Sequence, residues 1–130
     1  MKYITLILLL STLFGCKKVN DTGVTDFNVS LDKSTFNIGE EVVFKLSGNP
    51  FQISFYSGEA GKDYLYKDTP KPPGKTVDFG RPIKAYADAA ITEFAYTYTV
   101  AGIYRATFAA KGTTIYSNSE SVKYVDITIK

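Results

Sequence analysis

The 130-residue chain contains no histidine and no tryptophan, and it has a single cysteine. This composition excludes a Ser-His-Asp triad, a Cys-His dyad, the common zinc sites and haem ligation within the chain. We therefore expect a protein that is not an enzyme and that carries no metal or cofactor. The 15 basic and 13 acidic residues are interspersed and give a formal net charge of +2. Because no basic stripe is present, nucleic acid is not an expected partner.

The start of the chain has the pattern of an export signal. Lys2 supplies a positive charge, residues 3–14 are mainly apolar, and Gly15 and Cys16 follow. As a helix, the apolar stretch would reach roughly 18 Å, which is short of the roughly 30 Å hydrocarbon core of a bilayer. We therefore predict a cleaved signal peptide over residues 1–15 rather than a membrane span.

The segment Leu13-Phe14-Gly15-Cys16 resembles the lipobox of bacterial lipoproteins, with Leu three residues before Cys and a small residue directly before it. The resemblance implies acyl chains on Cys16, and therefore the membrane as a partner. Lys17 and Lys18 stand where an Asp would keep a lipoprotein on the inner membrane. The resemblance thus implies an outer-membrane location, on either the periplasmic face or the cell surface, with residues 16–23 forming the acylated cysteine and a polar tether.

Residues 24–130 show the alternation of apolar and polar side chains that is typical of β-strands. Val42, Phe44 and Leu46, for example, share one parity, as a half-buried strand requires. No segment has apolar residues at helical spacing over three turns. About seven strands, separated by turn residues, is the count of an immunoglobulin-type sandwich. We predict one all-β domain, an antiparallel β-sandwich, over residues 24–130.

Two irregularities are expected in this sandwich. Pro82 has no backbone N–H to donate, so its neighbourhood is expected at a sheet edge. In the last strand Val122 and Tyr124 share one parity, while Val125 and Ile127 share the other. A β-bulge near Tyr124 would account for this change of phase.

Several aromatic residues in the second half of the chain are expected to be structural. Phe94, Tyr96 and Tyr98 share one parity and are expected to face the core. Tyr104 follows Gly102 at the start of a strand. In sandwiches of this type, a tyrosine at this position forms the tyrosine corner, in which its hydroxyl bonds to upstream backbone.

Three stretches carry a further resemblance: Ile38-Gly39-Glu40-Glu41-Val42-Val43-Phe44, Phe55-Tyr56-Ser57-Gly58-Glu59 and Tyr98-Thr99-Val100-Ala101-Gly102-Ile103-Tyr104. They are similar to the PKD-like domain at the start of many surface lipoproteins of glycan-degrading Gram-negative bacteria. The resemblance runs from about residue 26 to residue 130 and implies a PKD-like, immunoglobulin-like sandwich. It also implies a non-catalytic accessory or glycan-binding module in polysaccharide uptake. Because glycan binding in those relatives is generally placed in later domains, the alternative is a structural or protein-interaction module that docks a membrane partner and binds no sugar.

Three tyrosines are the candidate ligand-binding residues: Tyr56, Tyr64 and Tyr66. An exposed tyrosine offers a flat face to sugar C–H groups and a hydroxyl for hydrogen bonding, so a polysaccharide is one expected partner. The other interpretation is that these tyrosines simply cover half-buried sheet surface. A sugar platform would require two exposed, coplanar rings.

Carboxylates are the remaining material for catalysis or metal binding. Those in or near predicted loops are Glu59, Asp63, Asp68, Asp78 and Asp88. Their spacing matches no calcium loop, and surface solvation is the default expectation for them. The proline-rich segment Lys67–Lys75 is either a docking loop for an outer-membrane protein or a device that protects a strand edge.

Overall fold

In a computed structural model, the chain folds into two β-sheets, and the structure describes residues 26–64, 80–113 and 118–130. The strands are β1 Asn28–Ser30, β2 Thr35–Phe36, β3 Glu41–Ser47, β4 Gln52–Tyr56, β5 Arg81–Lys84, β6 Glu93–Thr97, β7 Gly102–Thr113 and β8 Asn118–Ile129. They form a three-stranded sheet in the order β1-β3-β6 and a five-stranded sheet in the order β2-β8-β7-β4-β5. The prediction of an all-β sandwich is confirmed. The predicted signal peptide, Cys16 and the tether lie outside the described residues.

The strands form where the sequence alternates. On β3, Val42, Phe44 and Leu46 are buried while Glu41 and Lys45 are exposed, because successive side chains of a strand point to opposite faces. The same alternation on β4 buries its second and fourth residues. The two sheets can therefore each turn one apolar face inward.

The core lies between the sheets and is rich in phenylalanine. The Phe44 ring is fully buried and lies 5.0 Å from the Phe108 ring, 5.7 Å from Phe55 and 6.3 Å from Phe94, measured between centroids. Tyr98 is also fully buried, and Phe94 and Tyr96 pack against the buried cluster. The predicted core-facing parity of these last three residues is confirmed.

The first two strands, β1 and β2, belong to different sheets. β1 pairs antiparallel with β3, with Asn28 opposite Ser47. After a break at residues 31–34, β2 pairs parallel with β8, where Phe36 lies opposite Ile129. The chain therefore crosses from one sheet to the other within a few residues and ties both sheets together.

β7 and β8 form the longest strand pair. Their register is continuous from Gly102 opposite Ile129 to Thr113 opposite Asn118, so the predicted bulge near Tyr124 is wrong. The change of parity between Tyr124 and Val125 occurs because apolar side chains lie on both faces of this strand pair. Residues Val125 and Ile127 pack with the core, whereas Tyr124 faces the opposite side.

β5 is the edge strand of the larger sheet. Among the described strands it pairs with β4 alone, and the register shifts where Pro82 lies opposite Ser54. A proline is tolerated at such a position because an edge strand does not need every backbone donor. The expected edge at Pro82 is confirmed, while the neighbouring segment Lys67–Lys75 lies outside the described residues.

Candidate functional site

The five-stranded sheet has an outer face, defined here as the side turned away from the three-stranded sheet. Tyr56, Thr107 and Tyr124 are direct register partners across β4, β7 and β8, and they alternate with core residues, so all three lie on this face. Thr107 and Ala109 retain only 4% and 5% of their surface exposed, although both belong to the outer face. The outer face is therefore partly covered.

Tyr56 and Tyr64 meet on the outer face. Their ring centroids are 5.0 Å apart and the ring planes make an angle of 73°, an edge-to-face arrangement. The Tyr64 hydroxyl donates to Glu120 Oε1 at 2.9 Å, and both tyrosines are half-buried. These two rings are close but not coplanar, and Tyr66 lies outside the described residues. Sugar binding through Tyr56, Tyr64 and Tyr66 stays a prediction.

Tyr124 is a more exposed tyrosine on the same face, and the sequence analysis did not select it. It is 58% exposed, and the guanidinium carbon of Arg105 lies 4.2 Å from the centroid of its ring. Arg105 in turn donates from Nε to Asp126 Oδ1 at 2.7 Å and from Nη2 to Oδ2 at 2.9 Å. We call Tyr124, Arg105 and Asp126 the outer-face triad.

The ion pair of the triad is stable in its charged form. The hydrogen bond from Arg105 is the main cause that lowers the pKa of Asp126. The same bond is the main cause that raises the pKa of Arg105. A bidentate arginine–carboxylate pair also fixes the geometry of both side chains, so the guanidinium is held over the Tyr124 ring.

Glu59 is the centre of a separate hydrogen-bond network near the end of β4. Ser57 Oγ donates to Glu59 Oε2 at 2.7 Å, Tyr96 donates its hydroxyl to the same oxygen, and Lys62 Nζ lies 3.4 Å from it. The Tyr98 hydroxyl donates to the Ser57 carbonyl oxygen at 2.8 Å. These bonds tie the turn after β4 to β6 and to the residue that follows β6.

The electrostatics of Glu59 differ from those of a general acid. Partial burial raises the pKa of Glu59, but hydrogen bonds from Tyr96 and Ser57 and the charge of Lys62 outweigh it, and the net pKa is lowered. A general acid at neutral pH needs a raised pKa. Burial, followed by the hydrogen bond to Glu59, raises the pKa of Tyr96. Glu59 is therefore an ionised hydrogen-bond acceptor within the fold.

The Phe55-to-Glu59 stretch, which carries the PKD-like resemblance, has a structural explanation at each position. Phe55 is in the core, Tyr56 is on the outer face, and the buried Ser57 bonds to Glu59. Gly58 has φ +79°, and a Cβ at this position would lie 2.5 Å from the Arg105 carbonyl oxygen. Glycine is required there because the turn touches the β7 backbone.

Among the described residues, the other candidate carboxylates, Asp63 and Asp88, belong to no metal-binding cluster. Asp88 accepts a hydrogen bond from the Ala85 N–H at 2.7 Å, which closes a local turn, and Asp63 is half-buried. Asp68 and Asp78 lie outside the described residues. Within residues 26–64, 80–113 and 118–130, no group of three or more Cys, Asp or Glu side chains could hold a metal ion.

In the same ranges, the structure contains no helix long and apolar enough to span a bilayer.

Tyr104 makes a local backbone contact. Its hydroxyl donates to the Val100 carbonyl oxygen at 2.8 Å, which is the kind of upstream hydrogen bond that a tyrosine corner makes. Its ring stacks on Tyr98, with 4.7 Å between centroids and an angle of 23°. Tyr104 therefore joins the β6–β7 connection to the core.

Comparison with known proteins gives one match. The family model described as "Domain of unknown function (DUF5017)" matches residues 15–128. No curated protein and no solved structure matches the chain. Because the matched range covers most of the sequence, the chain belongs to the DUF5017 family.

Proposed function

We propose that this protein is a non-catalytic, lipid-anchored lipoprotein of the outer membrane whose sandwich binds a glycan as an accessory module in polysaccharide uptake. In this proposal Cys16 carries the acyl chains and the outer face of the five-stranded sheet carries the ligand. The ionised state of Glu59, with its lowered pKa, supports the non-catalytic part of the proposal, because a general acid at neutral pH needs a raised pKa.

The position of the first described residue suits a tether. The backbone of Asp26 lies beside Gly48. A Cβ placed on Gly48 would be 3.0 Å from the Asp26 carbonyl oxygen. Ile38 lies near the opposite end of β3, bonded through its N–H to the Lys130 carbonyl oxygen. An extended chain from Cys16 to Asp26 would span roughly 33 Å. The anchor would therefore hold the end of the sandwich at Asp26 and leave the opposite end away from the membrane.

The exposed ring of Tyr124 is the single observation that carries the glycan proposal. It lies within the longest strand pair, on the face away from the core, and it is 58% exposed. A rigid, exposed tyrosine can stack against sugar C–H groups with little loss of conformational entropy. The β7–β8 pair thus presents one fixed aromatic ring, on which a single sugar unit can stack.

Affinity gel electrophoresis against a polysaccharide panel tests this proposal. The protein would be residues 16–130 with Cys16→Ser, and retardation by at least one glycan is the expected result. Tyr124→Ala should reduce the retardation strongly. Tyr86→Ala is the matched control, because Tyr86 is 72% exposed but lies in the turn after β5, stacked on Phe51. Equal retardation of wild type and Tyr124→Ala would contradict binding at Tyr124.

The lipid anchor is tested separately in cells. Wild-type protein should incorporate labelled palmitate and fractionate with outer membranes, because acylation would hold it there. Cys16→Ser should lose both the label and the membrane association. Retention of the label by Cys16→Ser would refute acylation at this residue.

A second candidate function is docking to an outer-membrane protein without sugar binding. Ile38, Val100 and Ile103 are exposed and lie at one end of the sandwich, and Ile103 retains 80% of its surface. Exposed apolar residues near one end of a fold favour an interaction surface there. If no glycan retards the protein and Ile103→Asp prevents its co-purification with one outer-membrane protein, this second function replaces the first.

A further inference from the structure

We propose that the outer-face triad is a subsite for a neutral sugar ring that carries adjacent free hydroxyl groups. The inference rests on the proposed glycan binding and narrows it to a place and a chemical class. The Arg105–Asp126 pair would bind two neighbouring hydroxyls of this ring. Because Arg105 lies over one face of Tyr124, the other face of Tyr124 would take the C–H groups of the next sugar along the chain.

The triad is already organised before any ligand arrives. Arg105 and Asp126 face each other across the β7–β8 register and hold each other through two hydrogen bonds of 2.7 and 2.9 Å. The side chains of both remain more than half exposed, so a ligand can reach them. Because the ion pair fixes the guanidinium over Tyr124, a ligand would meet a fixed group rather than order a mobile one, which limits the entropy lost on binding.

The unused hydrogen-bonding groups of the pair complement adjacent hydroxyls. A guanidinium has five N–H donors and a carboxylate about four acceptor positions, and the observed pair uses two of each. Arg105 therefore keeps donors and Asp126 keeps acceptors at fixed, neighbouring positions. One sugar hydroxyl can donate to the carboxylate while the next accepts from the guanidinium. A sugar with a single isolated hydroxyl would satisfy only half of this arrangement.

The charge of the subsite favours a neutral ligand. Asp126 neutralises Arg105 through the bidentate contact, so the triad has no net charge. Further along the outer face, Lys111 and Glu120 are direct register partners, so their opposite charges also offset each other. A uronic acid would bring its carboxylate against Asp126 without an unpaired cation to offset the repulsion.

Two polysaccharide series and three variants test the inference. Residues 16–130 with Cys16→Ser would be titrated by calorimetry and run in affinity gels with neutral polysaccharides and with uronic-acid polysaccharides of similar size. We expect binding to a neutral polysaccharide, weakened about tenfold by Tyr124→Ala, in line with loss of one aromatic stacking contact. Asp126→Asn should weaken neutral binding and, by leaving Arg105 unpaired, create binding to the uronic-acid series.

Asp32→Asn is the matched control. Asp32 forms an exposed ion pair with Lys45 at 2.7 Å, and Lys45 belongs to the three-stranded sheet, so this variant removes a comparable ion pair away from the triad. It should bind as wild type does. Thermal unfolding of each variant establishes that it is folded before binding is compared.

The outcomes separate this inference from the proposed function. Neutral-glycan binding that Tyr124→Ala leaves unchanged overturns the triad and keeps the proposed function. Binding of wild type to uronic-acid polysaccharides alone overturns the neutral class, as does an Asp126→Asn variant with unchanged preference. Failure of wild type to bind any glycan overturns both proposals.

Discussion

One added methyl group at Gly58 should destabilise the sandwich strongly. The Gly58 backbone has φ +79°, and a Cβ would lie 2.5 Å from the carbonyl oxygen and 2.8 Å from the nitrogen of Arg105. Both contacts are with backbone atoms within the long β7–β8 pair, so no side-chain rotation can relieve them. Gly58→Ala must therefore displace either the turn after β4 or strand β7.

Two contributions determine the size of the effect. The left-handed backbone conformation costs about 1–2 kcal/mol for a residue with a Cβ. Displacement of packed backbone adds about 1–3 kcal/mol, the range found for overpacked sites. We expect Gly58→Ala to lower the free energy of unfolding by about 2–5 kcal/mol, which is a large fraction of the stability of a small domain.

Gly39→Ala provides the matched comparison. Gly39 has φ +80°, but a Cβ there would meet no atom within 4 Å, so this variant carries the conformational cost alone, about 1–2 kcal/mol. Urea unfolding of wild type and both variants, followed by circular dichroism, gives the three free energies. Equal losses for Gly58→Ala and Gly39→Ala would refute the argument that contact with β7 makes Gly58 necessary.

Further predictions concern the tyrosines and Glu59. Tyr98→Phe removes a buried hydroxyl that donates to the Ser57 carbonyl and should lower the free energy of unfolding by about 1–2 kcal/mol. Tyr104→Phe removes the exposed hydrogen bond to Val100 and should lower the free energy of unfolding in urea by at most about 1 kcal/mol. Equal losses for Tyr98→Phe and Tyr104→Phe would contradict the argument that burial makes the Tyr98 bond the stronger one. Since burial raises the pKa of Tyr98, its contribution is complete below about pH 10 and lost as pH rises further, and Tyr98→Phe should reduce the alkaline loss of stability. The lowered pKa of Glu59 means that its contribution is present above the ordinary glutamate pKa and lost as pH falls. Glu59→Gln should therefore flatten the acid limb of a pH–stability curve, and an unchanged limb would argue against this network.

The core-facing residues could be predicted from the sequence because strand geometry has a period of two. Val42, Phe44 and Leu46 share a parity, and all three are buried. The two residues of β2 could not be predicted in the same way. A strand of that length has no periodicity, and its parallel pairing with β8 depends on contacts far apart in the sequence.

The error at Tyr124 has a physical origin. The expectation of a bulge assumed that only one face of the last strand is apolar, so a change of parity required an extra residue. In the fold, Thr107 and Ala109 on the outer face are almost fully buried, and Tyr124 lies opposite Thr107. Parity indicates which residues share a face, but it does not indicate whether the second face is covered.

The candidate site was harder to predict than the core. The sequence identified Tyr56 and Tyr64 as candidate ligand-binding residues, but it did not indicate that their rings lie 5.0 Å apart at an angle of 73°. That geometry depends on side-chain packing that a sequence pattern does not encode. The outer-face triad depends on the β7–β8 register, which places Arg105 opposite Asp126. If β7 and β8 are written side by side in that register, Arg105 lies opposite Asp126 and Tyr124 lies in the next outward-facing pair, so the sequence would then indicate the triad.

The crossing of the chain between sheets also has a mechanical consequence. A pulling force applied at Asp26 along the strand axis would act first on β1, whose hydrogen bonds to β3 run across the direction of pull. Those bonds would be loaded together in shear instead of opening one at a time. Beyond β1, the same pull would reach β2 and its parallel bonds to β8 in the other sheet. Both layers of the sandwich would therefore resist extension from this end, so a tension applied at Asp26 would be distributed through the fold before any strand detached.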